Sequence, residues 1–180
     1  MILPLVERLL DEGESRGAVS EDGRCKILMS LIEALTNAII HGNLEVSSEL
    51  RELDSSEFQS TIAARRQLAP YCHRKVEIKY NFTSELAIFQ ITDEGPGFDL
   101  SLLADPTNLE NLHRVSGRGI AIMRSFLDEV RFNADGNRVT LVKYTHSSDE
   151  SDEDYLETHV AVPHQESGSS QLTWVRTAGR

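Results

Sequence analysis

The stretch "EALTNAIIHGN", residues 33–43, decides how this chain is read. It closes a longer run that opens at Ser20, a candidate helix cap, and stops at Gly42. At about 100° per residue, Leu28, Leu31, Leu35, Ala38 and Ile39 gather on one side, which is expected to face a core. Lys26, Ser30, Glu33, Asn37 and His41 fall on the other, where a polar stripe reads as a solvated helix face. Two details resist that reading. Ile32 and Ile40 border the stripe, and Glu33 and Asn37 stand one turn apart, pointing the same way. A carboxylate and an amide oxygen so spaced can hold a hard cation or a water between them. The helix by itself leaves both readings open.

Downstream the period changes to two. "KVEIKYNF" (75–82) alternates Val76, Ile78, Tyr80 and Phe82, and "ELAIFQITD" (85–93) reads as the next strand. Its face through Ala87, Phe89 and Ile91 ends on Asp93, which would point into an apolar layer. A carboxylate there is costly unless it accepts hydrogen bonds. In "TDEGPGFD" (92–99), Gly95 and Gly97 then remove side chains, so something flat could approach the backbone. An ordinary turn, with Asp93 bonded to its own loop, accounts for the same residues. Further on, "SGRGIAIM" (116–123) sets Gly117, Arg118 and Gly119 before a helix whose free amides suit an anion. No G-x-x-x-x-G-K-[ST] loop occurs in the chain.

The remaining segments supply a frame. A short helix is predicted at 4–12 with Gly13 as its stop, and residues 44–74 form an insert with a helix from Ser55 or Ser56 to Leu68. Residues 100–116 read as a loop. "DEVRFNA" and "NRVTLVKYTH" are strands joined by a "DGN" turn. From Ser147 the chain turns acidic and serine-rich, a flexible tail in which "THVAVP" and "QLTWVR" could add minor strands. The order points to an α/β two-layer sandwich, its mixed or antiparallel sheet covered on one face by helices.

Composition excludes several functions. The net charge is −11, and the chain stays acidic even without the six acids of residues 147–157, which argues against a nucleic-acid partner. No apolar run approaches the roughly 20 residues that span a bilayer. The opening "MILPLVERLL" carries an acid too early for a secretory signal, leaving the cytoplasm as the expected compartment. Cys25 and Cys72 are too far apart in sequence for a zinc motif and read as small buried or half-buried side chains. His73, His113, Cys72 and Asp105 suggest no metal cluster.

Taken together, "EALTNAIIHGN", "DEGPGFD" and "SGRGIAIM" resemble, in order and spacing, the N, G1 and G2 boxes of the GHKL ATP-binding fold. With "LDEV.F" and "GNRVTLVKY" following, the chain is similar to the bacterial anti-sigma-factor serine/threonine protein kinases, the RsbW-like group, over about residues 5–146. The resemblance implies ATP and Mg²⁺ as cofactors within a domain at 1–146, followed by the tail at 147–180. Asn37 would ligate Mg²⁺ and Glu33 would be the catalytic base. Asp93 would accept from the adenine amino group, with Gly95 and Gly97 letting adenine lie against backbone. Gly117, Arg118 and Gly119 would bind phosphates, and residues 100–116 would form the ATP lid.

The implied function is an anti-sigma-type kinase that binds a sigma-like factor and phosphorylates an antagonist on Ser or Thr. The alternative is a non-catalytic ATP-sensing module working with a response regulator or other signalling partner. A third is a structural domain with fortuitous motifs. Partners are proteins, a homodimer being allowed, with no nucleic acid and no membrane. Four departures from the group stand out. No strand precedes the first helix, the insert is long, and Asn137 and Arg138 stand where threonine is usual. A dimerisation helix with a phosphoacceptor histidine is missing.

Overall fold

The computed structural model describes residues 2–100, 118–145 and 171–176. Five strands form one antiparallel sheet, ordered β3-β4-β2-β1-β5, with β1 at Lys75–Phe82, β2 at Leu86–Thr92, β3 at Glu129–Phe132, β4 at Arg138–Tyr144 and β5 at Gln171–Arg176. The period-two pattern holds: Val76, Ile78, Tyr80 and Phe82 of β1 and Ala87, Phe89 and Ile91 of β2 are all buried. Register brings them together, Ile78 opposite Ile91 and Tyr80 opposite Phe89, with Leu141 of β4 across from Phe89. Helices α1 (Ile2–Ser15), α2 (Glu21–Thr36) and α5 (Arg118–Phe126) close one core over this face through Val6, Leu10, Leu31, Leu35 and Met123. The expected α/β two-layer sandwich is therefore present, and its sheet is wholly antiparallel. The edge strand beside β1 comes from "QLTWVR", near the C-terminal end.

Local chemistry explains most boundaries. Ser20 caps α2, its Oγ accepting the Gly23 N–H at 3.1 Å, with Glu21 and Asp22 in the first turn. Asp54 caps α4 (Ser55–Arg65), accepting from Ser56 and Glu57. Phe58 and Ile62 of α4 form a second small core with Leu44 and Val46, so the 44–74 insert folds on its own apolar centre.

Several expectations need correction. Gly13 does not stop α1; it lies inside the helix, where a side chain would press on Val19 and Phe82. The insert holds a further short helix, α3 (Ser48–Leu53), and α4 ends at Arg65 rather than Leu68. Ser30 belongs to no open stripe: it is fully buried and donates to the Lys26 carbonyl at 2.8 Å. Cys25 is exposed, while Cys72 is half-buried. The second helix also changes character, running on from Asn37 to Asn43 as a π-helical turn instead of an α-helix. Such turns widen a helix locally and often mark functional sites. Among the described residues no helix is long and apolar enough to cross a membrane.

Candidate functional site

A cleft of about 900 Å³ opens between α2 with its π-helical extension, the end of β2, the β3–β4 turn and the start of α5. Glu33, Asn37, Asp93, Gly97, Arg118 and Gly119 all line it. Six sequence-predicted residues thus converge on one cavity although they span 87 positions of sequence. Gly95 lies just behind Asp93, and Gly117 lies outside the described residues, as does the expected lid beyond Leu100.

At one end, Asp93 is buried and 9 % exposed. Its Oδ1 accepts the Gly95 N–H at 2.9 Å, and its own N–H donates to the Asn137 carbonyl at 3.0 Å. Burial pushes its carboxyl up to about 6, with the Gly95 N–H and the Arg74 charge pulling the other way. The packing here depends on missing side chains. A Cβ at Gly42 would sit on the Asp93 carboxylate, and one at Gly95 would strike the Gly42 carbonyl. The π-helical turn thereby brings the helix backbone directly against the turn after β2. Gly97 has φ +75°, a left-handed conformation, and a Cβ there would collide with the Asp135 carbonyl. The absent side chains at Gly95 and Gly97 thus first serve contact between protein segments; of the two, only Gly97 lines the cleft.

At the other end, Gly119 in the first turn of α5 faces Glu33 of α2 and Asn37, the first residue of the π-helical turn. A Cβ at 119 would lie 2.7 Å from Glu33 Oε2 and 3.3 Å from Asn37 Nδ2. The helix spacing that suggested a shared site for Glu33 and Asn37 is therefore completed by a glycine from a different element. Arg118 is exposed at the same rim. Among the described residues no group of three His, Cys, Asp or Glu side chains could hold a metal alone. A Mg²⁺ beside Asn37 would accordingly draw most of its oxygens from phosphate and water, as that ion commonly does. The residues fit a nucleotide: a buried acceptor for a base, a backbone-walled cleft, and an amide and a carboxylate at a helix start.

Sequence reasoning missed other parts of this wall. Ser48 and Arg51 reach the cleft from α3 in the insert. Phe98 and Phe132 meet edge to face, ring centres 5.4 Å apart, and both line it. His41 was not missed: helix phase put it on the same side as Glu33 and Asn37, and it lines the cleft, with Nδ1 donating to the Val46 carbonyl at 2.6 Å and Nε2 left as its second polar atom. Asn43 and Arg74 do not line the cleft but brace Asp93 from behind.

The comparisons agree with this geometry. The family model for the histidine kinase-like ATPase domain matches residues 3–143, and the chain belongs to that family. No curated protein matches it closely enough to count as a relative. The family extent covers α1 through β4, the elements that build the cleft.

Proposed function

We propose that the protein is an ATP-dependent serine/threonine kinase of the anti-sigma type, which binds a sigma-like regulator and phosphorylates a small antagonist protein. One observation carries the reading beyond nucleotide binding: the Glu33 carboxylate stands with Asn37 against Gly119, at the end of the cleft away from the base acceptor Asp93. When bound there, ATP supplies a transferable phosphoryl group. Asp93 accepts from the amino group of adenine, so the ligand brings a donor to a carboxylate whose burial is otherwise costly. Asn37 holds the phosphate end with Mg²⁺, and Arg118 and Gly119 border it at the start of α5. Glu33 orients an incoming serine or threonine hydroxyl and takes its proton.

A second reading, a nucleotide-sensing module without transfer, draws on Ser48 and Arg51, which bring the insert to the cleft wall and give bound nucleotide a route to a partner surface. Incubation with γ-labelled ATP and the antagonist separates the two. The kinase reading expects label on the antagonist, its loss by at least about a hundredfold in Glu33→Ala, and nucleotide affinity within a few-fold of wild type. Label transferred equally by Glu33→Ala removes Glu33 as the base. Nucleotide binding that changes partner affinity with no phosphoprotein formed favours the sensing module.

A further inference from the structure

Two arginines organise the insert: Arg65 closes it on its own first residues, and Arg74 ties it to Asn43, next to the base end of the cleft. Arg65 Nη1 donates to the carbonyls of Leu44 and Glu45, both at 2.7 Å. Arg74 Nη1 donates to the Asn43 carbonyl at 2.8 Å and to Glu45 Oε1 at 2.6 Å. The Tyr71 ring lies near both guanidinium groups, its centre 5.0 Å from Arg65 Cζ and 5.3 Å from Arg74 Cζ. Asn43, with no exposed surface, carries the link onward: its Oδ1 accepts the Glu94 N–H at 2.8 Å, on the residue that follows Asp93. Glu94 Oε2 then accepts the Lys75 N–H at 2.8 Å. Arg74 and Glu94 are thus joined through Asn43, and Glu94 bonds Lys75 directly.

We infer that Asn43 and Arg74 are positioning residues for the nucleotide base, through which the 44–74 insert sets the place and the charge of Asp93. This rests on the nucleotide reading above. Neither residue lines the cleft, so each acts through Asp93 and not on the ligand. Around Asp93 the charged and titratable groups divide clearly. Glu33, His41, Arg51, Arg118 and Arg138 share the cleft, Glu94 turns its carboxylate to the Lys75 backbone N–H, and Arg74 stands behind, paired with Glu45. Arg74 is the cation whose field favours the ionised carboxylate that a base amino group needs. The Asn43 amide fixes the backbone on which that carboxylate hangs.

The test is calorimetric titration of the full chain with ADP between pH 5 and pH 8. In Arg74→Met, affinity at pH 7 is expected to fall about tenfold, and the pH at which binding is half lost is expected to move up. Arg74→Lys restores both, because a single ammonium can stand where Nη1 makes its two bonds. Asn43→Ala is expected to weaken ADP binding without moving that midpoint as far, since the cation remains. Melting curves show which variants are folded, and the Met/Lys pair decides the matter if the Asn43 variant is not. A clamp that only stabilises the fold predicts a lower melting temperature for Arg74→Met with wild-type affinity and midpoint, and that result overturns the inference alone. A wild-type chain that binds no ADP overturns the nucleotide reading, and the inference with it.

Discussion

Asp93 is the residue on which the site turns. Its carboxyl titrates at about 6 in the fold against an ordinary 3.8, so between those values the folded chain holds a proton that the unfolded chain has lost. The stability linked to this group is therefore full below about pH 4 and falls as pH rises through 6, by roughly 3 kcal/mol for a shift of about two units. Asp93→Asn lifts that cost. The variant is expected to melt above wild type at pH 7.5, with the gain vanishing near pH 4, while nucleotide affinity falls ten- to a hundredfold because a bond to a charged acceptor is lost. Equal melting at pH 7.5 would show that the carboxylate is not strained by its burial. Asp93 was legible in the sequence because a strand of period two carried it to the buried face. Asn43 and Arg74 were not. Their partners lie 51 and 31 residues away, and no local pattern marks one asparagine after a glycine or one arginine before a strand.

Among the elements, α2 and its π-helical turn carry the most information. The apolar stripe and the Ser20 cap made the helix plain, and the polar pair Glu33–Asn37 was correctly placed on a common face. The widening at Asn37–Asn43 has no signature in helical period, because it reflects closure of Gly42 against Asp93 and Gly95. The same limit applies to Ser30, whose burial arises from helices packed beside α2, and to Gly13, which reads as a stop but serves contact with Val19 and Phe82. The packing of α5 on α2 is the contact that brings Gly119 against Glu33 and Asn37. Gly119→Val is expected to push α5 off Glu33 and Asn37 and to weaken ATP binding at least tenfold. Its effect on melting should be smaller, because 119 lies in the first turn of the helix and outside the buried core. Wild-type affinity in that variant would mean that the α5 start takes no part in holding the ligand.

For the whole molecule, the class was readable before the fold was known, since strands and helices each kept their own period. The sheet order was less so. Strand β5 joins β1 antiparallel from beyond residue 170, and pairing over that sequence distance is set by the closed sheet edge, not by local composition. Under the proposed function, three distant segments make one nucleotide site with Asp93 at its base end. Calorimetric titration of the full chain with the non-hydrolysable ATP analogue AMP-PNP, with and without Mg²⁺, tests it most directly. One molecule is expected to bind per chain, tighter with Mg²⁺, with the Mg²⁺ effect lost in Asn37→Ala and binding weakened ten- to a hundredfold in Asp93→Asn. No measurable heat from the wild-type chain, or equal binding by wild type and Asp93→Asn, would contradict it.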